Sequence, residues 1–218
     1  MQERPPNNFG LAFILATIIA IGTGILILAL GKNGAFQLIN SNHNEIADQI
    51  FKYFTHYGDG LMWAPLGIYC FFYRRKYFIA VVAGVIISTI LAQFLKRVVY
   101  PEELRPMSYL SEIFPVHVVD GVTIRKVHSF PSGHTTTAFA MALIMAYIIN
   151  RKTWSVVLPL LASLAGYSRV YLAQHFPTDI FAGMCVGIVS AILSLLIYRK
   201  FIRDLNAKNT SKNKTRLS

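Results

Sequence analysis

Charge is scarce in this chain. Only 14% of its 218 residues are Asp, Glu, Lys or Arg, against about 25% in a typical soluble domain, and its mean hydropathy is +0.47. A surface facing water needs more charge than this, so the bilayer is the medium the composition fits. Acidic residues are the rarer sign, 10 against 21 basic, which leaves a formal net charge of +11. In a soluble chain that excess would point to nucleic acid. Here the basic residues stand in short clusters between apolar runs, and there is no zinc-finger spacing, recognition-helix pattern or aromatic-basic platform. Nucleic acid is therefore not an expected partner. Cysteine is also nearly missing. Cys70 and Cys185 each lie inside an apolar run, which excludes a disulfide scaffold and makes both small core residues. No internal repeat is visible.

Long apolar runs, by contrast, are plentiful. A helix needs about 20 apolar residues to cross a bilayer core. Runs at 9–30, 58–73, 77–95, 133–149, 153–173 and 179–198 reach or approach that length, the second being interrupted at Asp59, Gly60 and Pro65. The first is longer than the roughly 7–15 residues of a signal-peptide core and has no small-x-small cleavage site, so it is expected to be a retained span. Trp63 and Trp154 fall near span ends, as in an aromatic belt. The sequence thus predicts an all-α fold, a bundle of six transmembrane helices forming one membrane-embedded domain over 1–202. The polar, basic tail over 203–218 is expected to be disordered.

Orientation follows from Lys and Arg. With a cytoplasmic N-terminus, thirteen of the 21 fall inside, at Arg4, Arg74-Arg75-Lys76, Arg151-Lys152 and from Arg199 onward. Positive-inside therefore predicts a multi-pass protein of the cell (inner) membrane with both termini cytoplasmic. Two accessory features fall on the outer side. Residues 42–57 place Ile46, Ile50, Phe51, Phe54 and Tyr57 at helical spacing. They form either an amphipathic helix lying on the interface or an extension of the second span. In the stretch from Val116 to Ile124, Asp120-Gly121 sits between β-branched runs, which predicts a small hairpin.

Three short stretches carry chemistry, and the six-span topology brings all of them to the outer face. The first runs from Lys96 to Arg105-Pro106. The second is Pro131-Ser132-Gly133-His134, where Ser132 is placed to cap the following apolar helix. The uncapped N–H groups of that first turn make an anion site. Gly133 allows a phosphate close approach, and His134 can give a proton to a departing oxygen. The third is Ser168-Arg169-x5-His175-x3-Asp179. A guanidinium at a span end needs a task or a partner, and it can grip two phosphate oxygens at once. Asp179, one turn beyond His175, can hold one ring nitrogen and leave the other free to attack phosphorus. His117 and His128 share the outer segment, but their spacing fits no zinc pattern. Arg125-Lys126 there run against positive-inside, and they either meet an anionic headgroup or are solvated.

The second and third stretches resemble the signature of the type 2 phosphatidic acid phosphatase superfamily, and the likeness covers roughly 58–198. The first is irregular. The family pattern is Lys-x6-Arg-Pro, whereas eight residues separate Lys96 from Arg105 and seven separate Arg97 from it. Either the turn at Tyr100-Pro101-Glu102-Glu103 absorbs the excess or Arg97 replaces the lysine. The resemblance implies a hydrolase acting at the extracytoplasmic face on phosphoric monoester or diphosphate bonds of lipids. His175 would be its nucleophile, forming a phosphohistidine. Asp179 would orient His175, and His134 would act as acid and then as base. Lys96, Arg105, Ser132, Gly133 and Arg169 would cradle the phosphoryl group. It implies no cofactor and no metal. The implied substrates are undecaprenyl diphosphate, phosphatidylglycerol phosphate, phosphatidic acid or lipid A. A lipid phosphotransferase using the same phosphohistidine is the alternative. A non-catalytic membrane binder or transporter would fit the hydropathy but has no use for both histidines and Asp179.

Overall fold

The computed structural model describes residues 8–217; Arg4 lies outside them. Eight α-helices follow in order: α1 (Phe9–Asn40), α2 (Glu45–Phe54), α3 (Trp63–Tyr73), α4 (Phe78–Phe94), α5 (Pro106–Leu110), α6 (Gly133–Ile149), α7 (Lys152–Tyr171) and α8 (Pro177–Leu217). Each apolar run of the sequence falls on one of α1, α3, α4, α6, α7 and α8. Among the described residues three helical stretches are long and apolar enough to cross a membrane: Phe9–Asn40, Arg75–Val99 and Pro177–Ala207. Gly60–Tyr73 and Gly133–Ile149 are shorter apolar helices. The α1 helix breaks at Gly31, whose φ of 68° and ψ of 172° belong to a region that glycine alone enters freely.

At the centre stands α6, which packs against α1, α4, α7 and α8. Its residues from Ala138 to Ile144, and Tyr147, are all buried. A helix that is apolar on every side is one surrounded by other helices. It ends at Asn150, in the left-handed conformation at φ 48°, which asparagine tolerates.

The α6–α8 contact is set by two glycines one turn apart. A Cβ on Gly183 would stand 2.7 Å from Ser132 O, and one on Gly187 2.7 Å from Thr136 O. Small residues four apart let helix backbones touch in an apolar medium. Gly166 of α7 meets Ile180 in the same way, at 2.9 Å from its Cγ2. These close approaches draw α6, α7 and α8 together at the end that carries the two matching motifs.

Three sequence expectations meet a different outcome or a decision. Residues 42–57 do not extend the second span. Asn44 caps α2 by accepting from Ala47 N at 2.9 Å, and a 3-10 turn at Thr55–Gly58 closes it. Its Ile46, Ile50 and Tyr53 are exposed, while Phe51 turns in to Tyr171, ring centroids 4.6 Å apart. The expected hairpin keeps its turn, with Gly121 at φ 77°, but no strand forms among the described residues. Backbone groups that a ladder would use are taken elsewhere. His117 O accepts from Asn40, Asp120 O from Lys52 and Thr123 O from Gln174. At the C-terminus, α8 runs through the polar stretch to Leu217 where composition predicts disorder. No Gly or Pro follows Gly187, so nothing breaks the helix as it leaves its apolar run.

Candidate active site

A cavity of about 510 Å³ opens where the three stretches meet, and Lys96, Arg105, Gly133, His134, Arg169 and His175 all line it. Ser132 and Asp179 stand directly behind the wall, completely or almost completely buried.

The wall is built from helix ends. Pro177 starts α8, a position that suits its fixed φ and missing N–H, and this puts Asp179 in the first turn. Asp179 Oδ2 lies 3.2 Å from His175 Nδ1 and accepts from Phe176 N at 2.9 Å and Ser129 Oγ at 2.5 Å. A carboxylate anchored by two other donors is a fixed acceptor, so it holds His175 with Nδ1 protonated. The other nitrogen, Nε2, is left facing the cavity. His175 is reached by a sharp turn: Ala173 has φ 53°, and both Gln174 N and His175 N donate back to Arg169 O. Burial, and then the Arg105, Arg169 and Lys96 charges, hold His175 well below the usual imidazole range. Its ring is therefore neutral, with a lone pair to use.

Arg105 is nearly fully buried. Its guanidinium donates to Val127 O at 3.1 Å, Gln174 O at 2.7 Å and His128 O at 3.3 Å, and its Nη1 lies 3.4 Å from His175 Nε2. Burial, with Arg125 next, lowers its pKa to about 10, so it remains a cation at neutral pH. Arg169 comes in from the last turn of α7. Nη1 donates to Thr55 Oγ1 at 2.7 Å, and its Nε is buried with no partner. A buried guanidinium donor left unsatisfied at a cavity wall suits an oxyanion.

Ser132 caps α6 as expected, its Oγ accepting from Thr135 N at 3.4 Å and Thr135 Oγ1 at 3.0 Å. Its own N–H donates to Asp179 O at 3.0 Å, which ties the α6 start to the α8 start. Over Gly133 the space is open, since a Cβ there would meet nothing within 4 Å. His134 Nε2 stands 2.8 Å from Asp59 Oδ1, and Asp59 Oδ2 is 2.7 Å from His56 Nδ1.

The irregular first stretch has an irregular backbone. The helix widens to a π-turn over Leu95–Val99, a geometry that accommodates an extra residue and recurs at functional sites. Lys96 lines the cavity. Arg97 is not among the residues that line it; its Nε donates at 3.0 Å to Oε1 of Gln93, which stands in the cavity wall.

Sequence reasoning did not single out Asp59, Thr55, Ser129 or Gln174. Asp59 figured only as an interruption of an apolar run, yet an ionisable residue there is itself a signal. Gln174 accepts from both arginines, at 3.4 Å from Arg105 Nη1 and 3.5 Å from Arg169 Nη2. It lies inside the third stretch, at a position the motif leaves blank. Thr55 and Ser129 sit in turns with no pattern to mark them. His117, weighed for metal, is instead held at 2.9 Å by Asp48. Among the described residues no three His, Cys, Asp or Glu side chains group as metal ligands.

A neutral, carboxylate-anchored histidine thus faces a cluster of cations, with a second histidine across the cavity, in a helical protein with helices apolar and long enough to cross a membrane. The chain belongs to the PAP2 superfamily, whose family model matches residues 76–203. It is 27% identical over 165 residues to an undecaprenyl-diphosphatase of Sulfolobus acidocaldarius, covering 74% of this chain and 76% of that one. Among solved structures it resembles Aquifex aeolicus LpxE, with 31% identity, 73% of this chain and 92% of that chain covered, and a TM-score of 0.65. The fold is also that of a transmembrane PAP2-type phosphatidylglycerolphosphate phosphatase from Bacillus subtilis, with 20% identity, coverage of 88% and 96%, and a TM-score of 0.58.

Proposed function

We propose that this protein is an integral-membrane lipid phosphate or diphosphate phosphatase, with six spans, both termini cytoplasmic and its site at the extracytoplasmic face. The observation that carries the reading is His175, buried and held at Nδ1 by Asp179, with Nε2 turned to a cavity walled by Lys96, Arg105 and Arg169.

The reaction runs in two balanced steps. The three cations and the first N–H groups of α6 hold the non-bridging phosphoryl oxygens, whose charge is the main obstacle to transfer. His175 Nε2 gives its lone pair to phosphorus and the bond from phosphorus to the lipid oxygen breaks. That oxygen leaves with a proton from His134. Asp179 stabilises the imidazolium character of His175 as the phosphohistidine forms. Water then enters. His134, now neutral, takes its proton while the water oxygen bonds to phosphorus. The phosphorus–nitrogen bond breaks, returning the lone pair to His175 and releasing inorganic phosphate.

Topology rests on the basic clusters. Arg74-Arg75-Lys76 and Arg151-Lys152 lie at the end of the bundle opposite the cavity, as positive-inside requires of cytoplasmic turns. The exposed apolar row of α2 beside the cavity suits a helix lying in the interface.

Phosphate release in detergent from undecaprenyl diphosphate, phosphatidylglycerol phosphate, phosphatidic acid and lipid A tests the activity. Release from at least one is expected, and release from none overturns the reading. A reporter after Ser218 should read as cytoplasmic and one at Asp120-Gly121 as external; reversal overturns the placement.

A further inference from the structure

A second cavity, of about 430 Å³, lies between α3 and α6 and is walled almost entirely by apolar side chains. Met141, Met145 and Ile149, with Ile148 beside them, form its α6 wall, and Tyr57, Leu66 and Tyr69 stand opposite. On α6 these three follow His134 and Ala138 at steps of four, three, four and four residues, which is one face of a helix. The groove is therefore the continuation of the face that carries His134. From His134 to Ile149 that face runs about 22 Å, more than half of the roughly 30 Å bilayer core.

Its upper end is joined to the site by consecutive residues. Tyr57 lines the groove. Gly58 packs so tightly on His134 that a Cβ there would lie 2.9 Å from the His134 Cβ. Asp59 holds the His134 ring. The Tyr57 hydroxyl is buried with no hydrogen-bond partner, and burial pushes its pKa up to about 12. A buried hydroxyl without a partner is costly, and Tyr57 stands two residues before Asp59, which lines the polar cavity. Tyr69, at the outer edge, is 44% exposed, so the groove opens sideways rather than only toward the cavity. Two methionines in one wall suit an occupant that is flexible and variable in shape.

We infer that the α3–α6 groove holds the hydrocarbon chain of the lipid phosphate being hydrolysed, with the Tyr57 hydroxyl donating to an oxygen at the head of that chain. The inference rests on the lipid-phosphatase reading above. It follows from position: the acid His134 faces the bond to the leaving oxygen, and the groove starts under His134, so the group attached to that oxygen lies over it. The site thereby selects lipids whose chain begins within a few bonds of the phosphate.

The experiment compares one substrate with a chain and one without. The full chain in detergent is assayed on its best lipid phosphate and on nitrophenyl phosphate, with Met145→Trp and Ile149→Trp filling the groove and Tyr57→Phe removing the hydroxyl. Filling should raise KM for the lipid about tenfold, while kcat/KM for nitrophenyl phosphate stays within about twofold. Ile149→Trp, deeper in the groove, should penalise a long chain more than a chain of about eight carbons. Tyr57→Phe should raise the lipid KM several-fold. Unchanged lipid KM in both Trp variants, with nitrophenyl phosphate still turned over, overturns the inference. So does an equal loss on both substrates, which would mark a general distortion of the site. If the wild type hydrolyses nitrophenyl phosphate but no lipid phosphate, the activity reading itself falls and the occupant with it.

Discussion

Asp59 Oδ1 stands 2.8 Å from His134 Nε2, so the second histidine of the cavity has a carboxylate of its own, as His175 has Asp179. The two pairs face each other across the phosphate space. In the proposed mechanism Asp179 orients a nucleophile that must be neutral. Asp59 faces a histidine that must carry a proton to do its work, in the company of Arg169, His175 and Lys96. A carboxylate is the group that favours the protonated ring there.

Asp59→Asn should therefore lower kcat/KM by about 10–100-fold on a lipid phosphate, whose alkoxide needs the proton. On nitrophenyl phosphate, a good leaving group, the loss should stay within a few-fold. The alkaline limb of the pH profile should move to lower pH. Equal losses on both substrates would reduce Asp59 to a structural part.

His175→Ala removes the attacking nitrogen and should leave no measurable turnover. Asp179→Asn keeps the shape but loses the charge that fixes the ring, and should cost on the order of 10²–10⁴ in kcat. Residual activity in the first variant equal to that in the second would refute the nucleophile assignment.

The acid limb of kcat/KM should fall below pH 6.5, the ordinary imidazole value. His175 is held below that value by burial and by three neighbouring cations, so it stays neutral and nucleophilic in mildly acid solution. Stability has the same sign. The unfolded chain takes up a proton near pH 6.5 that folded His175 refuses, so stability falls as pH drops through that value. A limb centred above pH 7 would contradict this.

Lys96→Ala should cost about 100-fold or more in kcat/KM, since it removes a cavity cation. Arg97→Ala should stay within about threefold, because Arg97 does not line the cavity and reaches it only through its bond to Gln93 at the wall. Parallel kinetics on the two variants decides the matter, and the opposite order would move the first-stretch role to Arg97.

Gly183→Ala places a Cβ 2.7 Å from Ser132 O and 2.9 Å from Thr135 Cβ. Overpacking of this kind costs about 1–3 kcal/mol. A lowered Tm together with lost turnover is expected, whereas Gly133→Ala, with open space above it, should keep Tm and lose turnover.

Much of this was legible in the sequence. The six apolar runs named the helices that pack, and His134, Arg169, His175 and Asp179 stand around one cavity because their spacing matches helix ends. Ser132 was readable as a cap because capping chemistry is local. Asp59, Ser129 and Gln174 were not legible, for they act across distances no local rule spans: Asp59 on a residue 75 positions away in α6, Ser129 on one in α8. The hairpin failed for a related reason. Its β-branched pattern carries no information about Gln174, Asn40 and Lys52, which draw off its carbonyls. The Lys96 spacing was ambiguous because a π-turn has no sequence signature, and the one over Leu95–Val99 can take up only one of the two residues by which Lys96 exceeds the pattern.

The contact between Gly183, Gly187 and α6 has a consequence for how such a site can change over time. His134 rides on α6 and Asp179, which holds His175, on α8, so in the proposed mechanism the gap between proton donor and nucleophile follows a helix-to-helix distance, gauged by two absent methyl groups. Loops around the cavity can lengthen, turn over or acquire new headgroup contacts without touching that gauge. Diversification toward different lipids is thus free to proceed at the rim and in the grooves, while the calibration of the chemistry stays locked in a seam that no substrate reaches.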